Sequence, residues 1–243
     1  MNSSFSNQTA FITGANRGMG WELTQQLTRR GFFVFMGVRD NGKGEQARMQ
    51  LDHPERAITI SLDLGNSVSI NKAVQQVLET HHPLDILINN AGVMMDGNIM
   101  EDSTTVISGE TLRKTFDNNF FGHVELTNQL LPLLQKSKRA AILNISSNMG
   151  SLQLHAAQEP LARTFAYNSS KAALNMYTIL LANALSDRQI KVNAIHPGWV
   201  KTDMGGEFAP LEIEEAVQPM IDFLLSPDLP TGKFVSQNGE INW

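Results

Sequence analysis

The feature that most restricts this chain is an alternation. Short apolar runs, rich in β-branched and aromatic residues, take turns with longer amphipathic stretches. The runs are TAFIT (9–13), FFVFMGV (32–38), AITISL (57–62), LDILIN (84–89), AAILNIS (140–146), IKVNAIH (190–196) and KFVS (233–236). Little polar alternation interrupts them, as expected of strands covered on both faces. Between them the pattern predicts helices over 18–30, 43–51, 67–80, 110–136, 165–187 and 212–225, with a kink at Pro132. Strand and helix in turn argue for an α/β fold, a doubly wound parallel sheet of about seven strands with helices on both faces. The 243 residues, 42% of them hydrophobic, suffice for a single domain of this kind, and no Pro/Gly/Ser-rich linker divides them.

Charge and composition remove several function classes. A formal net charge of −5 and a pI near 5.7, with the basic residues scattered, leave no electrostatic footprint for nucleic acid or an anionic membrane. The absence of cysteine excludes disulfides, thiolate catalysis and cysteine-ligated metal. The six histidines show no ligand spacing, so no metal site is expected, and solvated or capping roles are expected for them. No apolar stretch reaches membrane-spanning length, and the polar start lacks a charged n-region and a long apolar segment. A cytoplasmic protein is expected.

In a doubly wound sheet, ligands bind beyond the carboxyl ends of the strands, near the point where strand order reverses. TGANRGMG (13–20) follows the first strand, with Gly14, Gly18 and Gly20 where that strand passes into a helix. Glycines permit close backbone approach, and the helix N-terminus offers free N–H groups to a pyrophosphate. An ordinary glycine-rich turn is the alternative, less favoured by this position. The second strand ends in Val38 and Arg39, where an acidic residue would accept from a free ribose 2'-hydroxyl. Arg17, inside the glycine turn, reaches the same region, and two guanidiniums suit a 2'-phosphate. NADP(H) is therefore preferred over NAD, against the alternative of two solvated arginines with Arg39 paired to Asp40. Asp63 either bonds an adenine amine or caps the next helix.

The remaining chemistry follows the fourth, fifth and sixth strands. NNAG (89–92) supplies Asn90, Ala91 and Gly92, with a structural tie between strands as the competing role. NISS puts the Ser146 hydroxyl at the fifth strand's carboxyl edge, with Ser147 its close competitor. Tyr167 and Lys171 in YNSSK stand at i and i+4, so on a helix they share one face. Asn119 lies on the helix before, and HPGWVKTDMGG adds Pro197, Gly198 and Thr202. Met94, Met95 and Met100 either line a pocket or fill core gaps.

TGxxxGxG at 13–20, NNAG at 89–92, NxxG at 119–122, Ser146, YxxSK at 167–171 and PG at 197–198 resemble the short-chain dehydrogenase/reductase family. The likeness spans essentially the whole chain in the family's order. GVRD, HPGWVKTDMGG and TGKFVSQNGEINW are most similar to its NADPH-dependent carbonyl-reductase and C-factor-like branch. The resemblance implies a Rossmann fold and a reversible reduction of a ketone or aldehyde by NADPH. Ser146 would bond the carbonyl oxygen, Tyr167 protonate it, Lys171 lower the tyrosine pKa, and Asn119 help return a proton to Lys171 through water. A free tyrosine has pKa about 10, so proton transfer near neutrality needs a fall of roughly two to three units, a bias that a neighbouring ammonium supplies and an oxidised nicotinamide ring adds to.

Implied cofactor contacts come from Gly14, Asn16, Arg17, Gly18, Met19 and Gly20 in the glycine turn. Further contacts come from Arg39, Asp63 and Leu64, from Asn90, Ala91 and Gly92, from Tyr167 and Lys171, and from Pro197, Gly198, Val200 and Thr202. Helices 110–136 and 165–187 would pair between subunits in a homodimer or homotetramer. The segment between Ser146 and Tyr167 is longer than usual in the family, and Glu159-Pro160 predicts a loop there, beside substrate or as a packing or oligomer element. The short stretch after Thr202 predicts a reduced lid. Two rival readings are a regulator that senses NADP(H) with little turnover, and an epimerase or dehydratase that uses its cofactor internally.

Overall fold

Alternating apolar runs become a parallel sheet because every second residue of a strand points to the same face, and both faces here are apolar. The computed structural model describes residues 8–97 and 101–243; Met100 lies outside them, as does the start of the chain. Strands β1 (Thr9–Thr13), β2 (Phe33–Val38), β3 (Ala57–Ser61), β4 (Ile86–Asn89), β5 (Ala141–Ile145), β6 (Lys191–Ile195) and β7 (Phe234–Ser236) are all parallel. The short strand β8 (Gly239–Glu240) adds antiparallel to β7. The order is β3-β2-β1-β4-β5-β6-β7-β8, so the chain winds outward from β1 and then returns to its other side at β4. The seven expected strands are present, with β8 as an addition.

Helices α1 (Gly18–Arg29), α2 (Asn41–Arg48), α3 (Ser67–Leu78), α4 (Gly109–Phe116), α5 (Gly122–Leu134), α6 (Leu152–Ala156), α7 (Phe165–Ala184) and α8 (Ile213–Leu225) fill the crossovers. Side-chain parity sorts the core into two layers. Ile12, Val34 and Met36 pack with Leu23 and Leu27 of α1 and with Val217 and Ile221 of α8. Phe11, Phe35 and Leu87 face the other way, onto Ile70, Leu126, Leu130 and Leu181 of α3, α5 and α7. No described helix is long and apolar enough to cross a membrane.

Two expectations need correction. The stretch 110–136 is not one helix. It is broken at 117–121 by a π turn, a wider coil that re-aims the following side chains. Pro132 lies within α5 only two residues before its end at Leu134, so it marks the terminus and not a mid-helix break.

Gly122, just past the π turn, lets α5 approach the turn after β3. A Cβ there would stand 2.2 Å from the Leu64 carbonyl oxygen, a backbone atom that cannot move aside cheaply. We expect Gly122→Ala to destabilise the fold by about 1–3 kcal/mol through overpacking, as read from urea denaturation midpoints.

Candidate active site

The turn after β1 is shaped by its glycines. Gly14 and Gly18 adopt φ of 66° and 56°, in the left-handed region. A Cβ on Gly20 would lie 2.2 Å from the Gly14 carbonyl oxygen, so α1 can start flush against the turn only without a side chain there. The Asn90 amide donates to the carbonyls of Thr13 (2.8 Å) and Gly14 (3.3 Å), and its backbone N–H donates to Thr13 Oγ1 at 2.9 Å. Asn90 thus ties β4 to β1 at the strand-order reversal, the structural role weighed against ligand contact. The first residues of α1 receive no side-chain cap and no acidic group, which leaves their N–H groups facing the cleft. A glycine cradle with an uncapped helix N-terminus fits a pyrophosphate.

A cleft of about 890 Å³ opens from this turn. Every expected cofactor contact borders it except Gly198 and Val200. These two sit behind the wall. Gly198, at φ 90°, packs on Leu211, and buried Val200 pairs with Leu211 in an isolated bridge. Pro197 and Thr202 reach the cleft itself, with Thr202 Oγ1 accepting from Gly205 N at 3.1 Å to tighten the turn. Asn16, Met19 and Leu64 also line it.

At the adenosine side, Arg39 is exposed and makes no ion pair with Asp40. That carboxylate instead caps α2 by accepting from Lys43 N at 3.1 Å. Arg17 is held by an ion pair with Asp203 across the cleft. Both guanidiniums border one space, as a 2'-phosphate site requires. Asp63 does not cap α3, a task performed by Asn66. Its carboxylate accepts from Gly65 N at 3.0 Å and holds the turn that lines the cleft.

Helix α7 forms the reacting side. Lys171 is buried and donates to the Ile145 carbonyl at 2.8 Å, with Nζ 5.5 Å from the Tyr167 ring centroid. Tyr167 is buried too, and its hydroxyl lies within reach of the Ser147 side chain, whose Oγ accepts from Met149 N at 3.2 Å and donates to Asn148 Oδ1 at 3.3 Å. Ser146 borders the cleft, but its Oγ donates to Asn175 Oδ1 at 2.6 Å. The hydroxyl that meets the tyrosine therefore belongs to Ser147. Strand parity carries the signal. Asn144 and Ser146 share a face and bond Thr178 and Asn175 of α7, and only the next residue escapes that packing.

Asn119 is fully buried by the π turn and does not border the cleft. Its Oδ1 accepts from Val93 N at 2.8 Å, while Nδ2 donates to Val93 O (2.8 Å) and Ser170 Oγ (3.0 Å). A Cβ on Gly92 would come within 3.6 Å of Lys171 Nζ and 3.7 Å of Asn119 Oδ1, so the bare glycine separates the two.

In the protein alone, burial moves the tyrosine and the lysine in opposite directions. Burial pushes Tyr167 up to about 12, opposed by the neighbouring Ser147 side chain, and burial pulls Lys171 down to about 8. Desolvation is the leading cause at both groups, because both are enclosed by the packing of α7 on the end of β5.

The histidines also depart from expectation. His123 is fully buried, its Nε2 donating to the Ala91 carbonyl at 2.8 Å beside Asn89. Burial first, and then the Lys171 charge, pull it down to about 4 despite that bond. His196 is likewise lowered to about 4 by burial, and its Nδ1 has no partner among the described residues.

The sheet order and the glycine turn at its reversal define a Rossmann-type α/β domain. The family model for short chain dehydrogenases matches residues 8–212. A short-chain dehydrogenase of Penicillium roqueforti is 34% identical over 222 residues, covering 86% of this chain and 85% of its own. Salutaridine reductase of Papaver somniferum is 29% identical over 290 residues, 93% of each chain. The NADPH-bound carbonyl reductase from chicken fatty liver superposes with a TM-score of 0.87 at 29% identity, over 98% of this chain and all (100%) of that one. This chain belongs to the short-chain dehydrogenase family.

Two neutral buried imidazoles make stability depend on pH. Folded values near 4 against an ordinary 6.5 mean that the unfolded chain binds more protons between them. The stabilisation is complete above pH 6.5 and is lost as pH falls towards 4. Each histidine contributes a slope approaching about 1.4 kcal/mol per pH unit. His123→Gln, which keeps an amide donor for Ala91, is expected to remove its share of that slope in urea denaturation across this range.

Proposed function

We propose that this chain is an NADPH-dependent carbonyl reductase that converts a ketone or aldehyde to its alcohol. The observation that carries the reading is the placing of Tyr167 and Lys171, both enclosed, on the wall of the cleft that the glycine turn opens, with the Ser147 side chain within reach of the tyrosine hydroxyl. NADPH bound in that cleft would supply the hydride, with its pyrophosphate on the glycine turn and its 2'-phosphate between Arg17 and Arg39. With a pKa near 12 the tyrosine is protonated at neutral pH, the form a carbonyl reduction needs from its acid. Tyr167 gives that proton to the carbonyl oxygen as negative charge gathers there, and Ser147 donates a second hydrogen bond to the same oxygen. Lys171 places a positive charge beside the ring and so favours the phenolate left behind. Asn119, whose Oδ1 is separated from Lys171 Nζ only by the bare Gly92, would help return a proton to that lysine through water. The turn at 199–211 is pinned by Trp199 Nε1 donating to the Gly205 carbonyl and by the Val200–Leu211 bridge, which supports a reduced lid and an open mouth.

Following NADPH absorbance with a panel of aldehydes, ketones and diketones tests the activity. Binding without consumption would overturn it in favour of a dinucleotide sensor. Product without net consumption would point to an internally recycled cofactor.

Paired serine variants test the assignment within the site. Ser147→Ala is expected to lower kcat by about 10²–10³. Ser146→Ala should leave kcat within about threefold while costing about 1 kcal/mol of stability. The opposite ranking would return the role to Ser146. Tyr167→Phe should lower kcat by about 10²–10⁴.

A further inference from the structure

We propose that Asp96 is a positioning residue for Tyr167, acting as a cap for the first turn of α7 delivered from the segment that follows β4. The first N–H groups of any helix lack intrahelical partners and need acceptors from elsewhere. In α7 the local sequence supplies none. The N-cap residue Thr164 makes no side-chain cap bond, because its Oγ1 donates to Asn168 Oδ1 at 2.9 Å, and the first turn contains no acidic residue.

Two side chains, more than 60 positions earlier in the chain, fill the gap. Phe165 N donates to Ser103 Oγ at 2.7 Å, Ala166 N to Asp96 Oδ1 at 2.7 Å, and Tyr167 N to Asp96 Oδ2 at 3.1 Å. Ser103 Oγ in turn donates to Asp96 Oδ1 at 2.9 Å, so one carboxylate organises the whole cap. Ser103 is buried and also anchored through its backbone, whose N–H donates to the Arg163 carbonyl at 3.0 Å.

A carboxylate at a helix N-terminus is favoured by the helix dipole as well as by its hydrogen bonds. What makes this cap functional is its position. One of the three N–H groups belongs to Tyr167 itself, so the bond to Asp96 fixes the backbone from which the phenol projects towards Ser147. The same segment begins at Gly92 and Val93, which border the cleft. Geometry at a proton donor is steep in its effect, since misplacement by about 1 Å can cost about a hundredfold in rate.

The proposal rests on the reductase reading for its kinetic consequence, but its structural core is testable without turnover. In the full chain, Asp96→Ala, Asp96→Asn and Ser103→Ala are compared by amide hydrogen exchange at residues 165–167, by NADPH affinity from fluorescence titration, and by kcat and KM with 4-nitrobenzaldehyde. Asp96→Ala is expected to speed exchange at 166 and 167 and to lower kcat about tenfold or more, with KM and NADPH affinity within about twofold. Asp96→Asn, which keeps the acceptor for Ala166, should fall between it and the unaltered protein. Unchanged exchange in a folded Asp96→Ala protein, or kcat within about twofold, overturns the proposal. Should Asp96→Ala fail to fold, Ser103→Ala decides on the same two readouts, with faster exchange at 165 and reduced kcat in support and no change against. If the unaltered protein consumes no NADPH with any carbonyl, the reductase reading fails, and the exchange measurement still judges the cap.

Discussion

Everything at the reacting end depends on how closely α7 lies along the end of β5. Tyr167, Lys171 and Asn175 stand one turn apart on a single face of the helix. Each grips a different part of the segment that runs out of the strand: Ser147, the Ile145 carbonyl, and Ser146 with the Gly150 carbonyl. The approach is possible because residue 150 has no side chain; a Cβ there would lie 2.7 Å from the Lys171 Cβ. This close contact excludes water from the tyrosine and the lysine, and that exclusion moves both pKa values. The same packing that orders the site therefore sets its protonation state.

Behind the site runs a band of buried polar groups that joins β4 and β5 to the helices on one face. Asn89 donates to Thr127 and to Asn144, Asn144 donates to Thr178, and His123 bridges to the Ala91 carbonyl. Buried polar groups destabilise a core when unpaired, but here each amide is bonded, so the band fixes register more strongly than apolar contact would. It ends at the reversal of strand order, where Thr13 and Asn90 hold the glycine turn. The dinucleotide cradle and the acid are thus parts of one rigid frame.

The chain's last residues belong to that frame as well. Ser151 Oγ donates to the Asn242 carbonyl at 2.6 Å, Gln153 N donates to the Trp243 carbonyl at 3.0 Å, and the Trp243 ring stacks on Phe234 with centroids 5.4 Å apart. This ties down the front of the long segment between Ser147 and Tyr167. The loop beyond α6, around Glu159-Pro160, is where helix stops, as the proline predicts.

The sequence by itself determined the alternation of layers and most of the residues that line the cleft, because strand parity, glycine spacing and i, i+4 pairing are local rules that survive folding unchanged; the strand order's point of reversal came from the structure. Helix boundaries agreed within a few residues except at 117–121, where a π turn leaves no periodic signature strong enough to read, and at Leu152–Ala156, where the short helix α6 was not predicted. Only the tertiary structure decided which of two adjacent serines meets the tyrosine, since that turns on whether Asn175 is near enough to claim Ser146. It alone showed how far Tyr167 and Lys171 are desolvated, because burial is a property of the packed chain and not of residue spacing. It alone brought Asp96 to the start of α7, a contact between residues about 70 positions apart that no local pattern encodes.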